Sequence, residues 1–202
     1  MLKTVKKIPK GIGALINFII ANTIGRIVYQ GKYFKGRHFL KWYSIGWKWV
    51  TRGIFFQKIL GYNRDVPFPV SEKVFVGNYR NIEFDINDLN IFHVFGDYYQ
   101  AWNEGKITIG SGSYIAPNVG IITSNHDLYN LDKRMPAKNV KIGARCWIGM
   151  NSMILPGVEL GDHTIVGAGS VVTKSFKEGN CVIAGNPAKK NKRFRRRGSN
   201  KK

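Results

Sequence analysis

Val140-Lys141-Ile142-Gly143-Ala144-Arg145, Cys146-Trp147-Ile148-Gly149-Met150-Asn151, Ser152-Met153-Ile154-Leu155-Pro156-Gly157, Val158-Glu159-Leu160-Gly161-Asp162-His163 and Thr164-Ile165-Val166-Gly167-Ala168-Gly169 follow one another without a gap. An aliphatic residue recurs at 142, 148, 154, 160, 166 and 172, usually with glycine after it. A period of six fits neither a 3.6-residue helix nor an alternating strand. It describes a chain that coils, each turn assembled from several short strands. The expectation is a parallel β-helix with three flat faces, one hexapeptide per face. The aliphatic side chain enters a narrow shaft, and the glycine supplies corner angles that other residues resist.

The register extends backwards through Ile109, Ile115 and Ile121, and more raggedly to Val76-Gly77 and Ile82-Glu83. It breaks between Ile121 and Ile142. Those positions are 21 apart, not a multiple of six, so an excursion is expected to leave the prism around Asn125 to Asn139.

The run from Lys106 to Lys189 carries Ile-Gly-x-x-Cys-Trp-Ile-Gly, Ile-Leu-Pro-Gly-Val, Val-Gly-Ala-Gly-Ser-Val-Val-Thr-Lys and Ala-Gly-Asn-Pro-Ala-Lys segments. In these it resembles the hexapeptide-repeat acyltransferases, within them the maltose, galactoside and capsular-polysaccharide O-acetyltransferase branch. The resemblance implies a mainly β protein with a left-handed coil, against the usual right-handed crossover preference. It also implies a homotrimer with active sites between subunits, a saccharide acceptor, and acetyl-CoA as co-substrate without a metal. Handedness and trimerisation come from the resemblance; the spacing shows neither.

Charge divides the chain into three. Residues 1–70 hold 13 basic and 1 acidic residue, 71–188 hold 10 and 11, and 189–202 hold 9 and 0, within an overall net charge of +20. A near-neutral body therefore lies between two cationic ends, which are attracted to polyanions. Residues 11–29 are apolar but interrupted by Asn17, Asn22, Thr23 and Arg26, short of what a spanning helix needs. Placed on a helix, Leu15, Phe18, Ile19, Asn22 and Arg26 give no clean stripe. Basic residues interleaved with Trp42, Tyr43, Trp47 and Trp49 suit attachment of residues 1–60 to an anionic membrane surface. Packing of a helical segment on the β-helix or on a trimer neighbour is the competing reading, and nucleic acid is the least favoured partner. The expected location is cytoplasmic, peripheral at the inner membrane face. Two cysteines, Cys146 and Cys181, make no disulfide framework, and Cys146 reads as a small buried side chain.

Acyl transfer to a hydroxyl needs a base for the hydroxyl proton and donors for the tetrahedral oxyanion. Of four histidines, His38 sits in the basic segment, His93 near the first coils, and His163 at a repeat corner. His126, in Ser124-Asn125-His126-Asp127, falls where the phase breaks, and a loop on a rigid coil is a good place to present a base. The residues alone leave it balanced between a base and a structural loop histidine; the resemblance makes it the catalytic base. Its orienting partner is open between Asp127, Asp97, Glu104 and a carbonyl. Asn125 either donates to an oxyanion or caps a turn, and Tyr99 and Gln100 are acceptor-contact candidates.

The resemblance further implies that Trp147, Met150, Ala168 and Lys174 line the pantetheine of coenzyme A, and that Lys189 and Lys192 meet its phosphates. Packing roles compete for each. No metal-ligand spacing appears. Two other functions stay open, acetylation of a small soluble sugar, amino sugar or serine, and a non-catalytic β-helix scaffold.

Overall fold

The computed structural model describes residues 10–193 and divides into two compact units, residues 1–72 and 73–202. The first is helical in its described part: α1 (Lys10–Asn22), α2 (Ile24–Val28), two short 3-10 turns, and α3 (Ile45–Gly53), which runs into a π-helical turn at Ile54–Ile59. Its core is aromatic. Trp47 takes Phe39, Phe34 and Phe18 edge-on or tilted, with centroids 5.0 to 6.0 Å away. Gln57 is fully buried and satisfied, its oxygen accepting from Tyr29 Oη and Val70 N and its nitrogen donating to Phe68 O.

The second unit is the coil. Among the described residues fourteen short strands form three sheets, and all but the last of them pair in parallel. The first face stacks β1 (Phe75–Val76), β3 (Tyr98–Gln100), β6 (Gly120–Ile122), β9 (Met153–Ile154) and β12 (Val171–Val172). The second stacks β2 (Ile82–Phe84), β4 (Ile107–Ile109), β7 (Val140–Ile142) and β10 (Glu159–Leu160). The third stacks β5 (Tyr114–Ile115), β8 (Trp147–Ile148), β11 (Thr164–Val166) and β13 (Cys181–Gly185), to which β14 (Ala188–Arg193) adds antiparallel. Residues 189–193, which charge alone assigns to a tail, thus form the closing strand.

One coil takes 18 residues: Ile142 lies beside Leu160, Ile148 beside Val166, and Ile154 beside Val172. The stacked aliphatics are the core, with Ile107, Ile121, Ile148, Ile154 and Val172 all inaccessible to solvent. Each contributes on the order of 1.5–3 kcal/mol by burial. Outward positions differ between faces. The second face shows Glu83, Thr108, Lys141 and Glu159, whereas the third shows Tyr114, Trp147, Ile165 and Val182.

The glycine after each aliphatic does not serve as expected. The left-handed residue of each corner stands three places after the aliphatic: Gly112, Asn118, Arg145, Asn151, Gly157, His163 and Gly169 all have φ between +55° and +85°. His163 is thereby a corner residue. Gly143 and Gly149 serve close approach instead. A Cβ on either would lie 2.6 Å from the backbone nitrogen of Asp162 or Ala168 in the next coil. Two places before the aliphatic, small buried residues tie corners together. Ser113 Oγ donates to Gly143 O (2.8 Å) and Ser152 Oγ to Gly167 O (3.0 Å). Cys146 occupies the same position, fully buried with its thiol pushed up to about 11 by desolvation, so it is a packing residue.

The phase break is an insertion of defined length. Ile109 pairs with Ile142, 33 positions on, where an ordinary coil takes 18; the difference of 15 is the span from Asn125 to Asn139. The first coil is irregular too, with a 3-10 segment at Ile86–His93 in place of a strand on the third face.

Candidate active site

The excursion leaves the corner between β6 and β7 as a closed hairpin. Lys138 N donates to Thr123 O (2.8 Å), Met135 N to Asn125 O (2.8 Å), and Asp127 N to Lys133 O (2.9 Å). Its foot is anchored. Thr123, fully buried, accepts from Trp102 N (3.1 Å) and donates to Gln100 O (3.0 Å), and Ser124 Oγ donates to Met135 O (2.9 Å). Gly105 makes room, because a Cβ there would meet Thr123 at 2.6 Å and Ala137 at 2.8 Å.

His126 stands on this hairpin, exposed, bridged in antiparallel register to Arg134. Its Nδ1 lies 2.6 Å from the carbonyl oxygen of Leu131. A carbonyl can only accept, so Nδ1 carries the proton and the lone pair is on Nε2. The orienting partner is therefore a backbone carbonyl rather than any of the acidic candidates. Asp127 turns away, its Oδ1 accepting from the amides of Tyr129 and Asn130 (2.9 Å each) to fix the hairpin tip. Asp97 is buried elsewhere, accepting from Val119 N (3.0 Å). Residue types alone cannot reveal a main-chain partner five positions on.

A pocket of about 310 Å³ opens beside the imidazole, lined by Asn125, His126, Asp127, Leu128, Tyr129 and Met135. Tyr129, 97 % exposed, and Leu128 give it an apolar rim. An unforeseen pair stands opposite His126 in the hairpin: the Arg134 guanidinium stacks over Trp102, 4.1 Å from the ring centroid. Residues opposite each other in an antiparallel pair project to the same face, so this cation shares a face of the hairpin with His126.

The acceptor-contact candidates fare unevenly. Tyr99 is overturned. Its side chain fills a core position of the first face, 1 % exposed, its hydroxyl donating to Ile91 O (2.9 Å), and burial holds the phenol well above its usual range. An alternating strand turns its neighbour Tyr98 outward, stacked on Phe75 at 4.6 Å. Gln100 is half-buried; with its amide turned to satisfy both neighbours, the nitrogen donates to Ser124 O and the oxygen accepts from Trp102 Nε1, each 3.2 Å. It braces the hairpin's foot. Asn125 lines the pocket beside His126.

The coenzyme candidates fall on two edges of the prism. Met150 and Ala168 occupy successive corners between the third and first faces, linked by Gly169 N to Met150 O (2.8 Å). Trp147, 55 % exposed, projects from β8 just before this edge, and Lys189 pairs with Ala184 beyond it. Lys174 belongs to the next edge, between the first and second faces, with Nζ 5.8 Å from the Phe176 ring. That second edge also carries the His126 hairpin. Lys192 pairs its backbone with Val182, and its side chain lies outside the described residues. His38, 4.8 Å from Trp49, and His93 sit away from the hairpin along the sequence, in the helical unit and at the end of the first-coil 3-10 segment. Among the described residues no group of His, Cys, Asp or Glu gathers in a metal-binding arrangement.

Residues 139–174 match the family described as "Bacterial transferase hexapeptide (six repeats)". The chain is 34 % identical over 105 residues to the galactoside O-acetyltransferase of Escherichia coli, covering 48 % of this chain and 51 % of that protein. It is 39 % identical over 93 residues to an Escherichia coli protein provisionally named a colanic acid biosynthesis acetyltransferase, WcaF, covering 46 % and 50 %. A solved maltose O-acetyltransferase from Clostridium difficile 630 is 30 % identical, covering 61 % of this chain and 72 % of that one, with a TM-score of 0.45. The chain spans about half the length of the curated relatives it matches. The repeats at residues 139–174 are those of the hexapeptide-repeat transferases, and the chain is similar to the galactoside and colanic acid acetyltransferases among them.

Proposed function

We propose that the protein is an acetyl-CoA-dependent O-acetyltransferase acting on a sugar hydroxyl of a cell-surface polysaccharide or its lipid-linked precursor. One observation carries this reading: a hairpin inserted at the phase break holds His126 with Nδ1 committed to the Leu131 carbonyl and Nε2 directed to no partner of its own hairpin. Nε2 takes the proton of the acceptor hydroxyl as its oxygen attacks the thioester carbon. The tetrahedral adduct then collapses, expelling the coenzyme A thiolate, and the imidazolium returns the proton to that sulfur. The Leu131 carbonyl stabilises the imidazolium while it exists, as an acidic partner does in a triad. Asn125, at the same pocket, is placed to donate to the oxyanion.

The donor side of the proposal uses Trp147, Met150 and Ala168 along one edge, with Lys189 and Lys192 toward the phosphates. Small corner residues there let pantetheine amides approach the backbone. His126 and Lys174 lie on a different edge of the same prism, so a site needing both edges is assembled from two copies. The homotrimer and the left-handed sense of the coil belong to this reading. On the acceptor side, the reading uses the Trp102 ring and the Arg134 cation stacked on it.

The galactoside and colanic acid names of the relatives favour a saccharide over serine. Incubation with isotopically labelled acetyl-CoA and a panel of polysaccharides and free sugars tests it. Alkali-labile label on a polysaccharide is the expected result. Label only on a free sugar moves the activity to a small acceptor, and failure to bind coenzyme A leaves a scaffold.

A further inference from the structure

Helix α1 has two apolar faces, and only one is used. Phe18 meets Trp47 edge-on at 5.2 Å, Ala21 is fully buried, and Thr51 Oγ1 donates to Asn17 O (3.3 Å), so this side packs on α3. The other side carries Ile12, Leu15, Ile16 and Ile19, a stripe at helical spacing that is 45 to 52 % exposed. Leu15 and Ile19 therefore do lie on a clean stripe; taking them together with Phe18, which belongs to the packed face, hides it. Beyond the kink at Thr23 the exposure continues with Ile24 and with Ile27, 84 % exposed. Over Gly11–Val28 only 11 % of the residues are buried, which is not the pattern of a core helix.

The surroundings suit a membrane interface rather than water. Trp42 and Tyr43 are exposed and packed edge-on at 5.5 Å, with Lys41 Nζ 5.5 Å from the Tyr43 ring. A cleft of about 290 Å³ between α1 and α3 is lined by Gly13, Ala14 and Asn17 on one side and by Tyr43, Ile45 and Lys48 on the other, so a cation and a tyrosine flank the start of the helix. Residues 1–70 hold 13 basic residues against Asp65 alone. Such a surface disfavours a second copy of itself and attracts an anionic one. Gly11–Val28 is, contrary to the expectation from its polar interruptions, long and apolar enough by length and composition to cross a membrane; a surface orientation fits better with the break at Thr23 and with one side of α1 packed on α3 through Phe18, Ala21 and Asn17.

We propose that the helical unit docks on the surface of an anionic lipid bilayer, with Ile12, Leu15, Ile16, Ile19 and Ile27 in the headgroup layer, Trp42 and Tyr43 at the interface, and Lys41 and Lys48 toward lipid phosphates. The proposal stands apart from the transferase reading, because binding is read without any substrate. The full chain is floated with vesicles of phosphatidylcholine plus phosphatidylglycerol and with phosphatidylcholine alone. It rises with the anionic vesicles, less so as salt is added. Ile16→Glu with Ile19→Glu lowers partitioning at least about tenfold, since apolar side chains that enter the headgroup layer are replaced by carboxylates that water holds by hydration and anionic lipid repels. Lys41→Glu with Lys48→Glu removes the preference for anionic over neutral vesicles. All four side chains are exposed, and unchanged circular dichroism establishes that the variants fold. Flotation indifferent to the stripe variant overturns the proposal. So does a stripe variant that changes only the sedimentation of the protein, which assigns the face to a second copy, or retention of RNA with no flotation.

Discussion

Asp97→Asn isolates one buried carboxyl in the core of the coil. Asp97 is 1 % exposed, accepts at Oδ1 from Val119 N (3.0 Å), and places Oδ2 3.4 Å from the hydroxyl of Tyr99, which already donates to Ile91 O. That geometry suits a neutral acid donating to the tyrosine oxygen. Burial is the largest effect and pushes the carboxyl up from 3.8 to about 7 against the opposing Val119 and Tyr99 hydrogen bonds. A folded value above the unfolded one means that the folded state keeps a proton the unfolded chain has released. Between about pH 4 and pH 7 this makes stability fall as pH rises, and above about pH 7 the loss is complete. Three units at about 1.4 kcal/mol each give a loss on the order of 4 kcal/mol. Asparagine cannot ionise and keeps both contacts, accepting from Val119 N and donating to Tyr99 Oη. In urea denaturation the variant therefore gains on the wild type by on the order of 3–4 kcal/mol between about pH 4 and about pH 8. Parallel pH profiles for the two proteins would refute the assignment of a buried, ionisable Asp97.

Ile148→Ala empties a core position sandwiched between Ile115 and Val166 and costs about 2–5 kcal/mol in the same assay. Gly149→Ala sets a methyl 2.6 Å from Ala168 N and destabilises more than Gly169→Ala, where nothing lies within 4 Å and only the positive φ resists, at a cost of about 1–2 kcal/mol; the reverse order in thermal unfolding would contradict the close-approach role. Asp127→Ala frees the amides of Tyr129 and Asn130 and loosens the turn that sets Leu131 against His126. Turnover is expected to fall about ten- to a hundredfold, with coenzyme A affinity unchanged.

The coil was legible because its signal repeats. Six consecutive hexapeptides fix the phase, and the same phase measured where it fails, which is why the excursion at 125–139 could be bounded from spacing alone. Individual residues within a repeat were less legible. Tyr99 reads as a polar contact until the register of β3 turns it inward, and the glycines read as corner residues until three-dimensional stacking shows the next coil's backbone against them. In the site, the residues alone leave His126 between a base and a loop histidine, the carbonyl that holds its ring has no residue-type signal, and Trp102 with Arg134 meet across 32 positions of chain that no local pattern connects. The apolar stripe of α1 was hidden for another reason: the residues of both its faces are apolar, and only packing on α3 separates them.

The claim that His126 abstracts the acceptor proton is tested most directly by the turnover number of His126→Ala with acetyl-CoA and a saccharide acceptor, measured alongside coenzyme A binding. Loss of a positioned general base predicts a fall in kcat of about a hundred- to ten-thousandfold with coenzyme A binding intact. Turnover equal to that of the wild type would remove His126 from the mechanism.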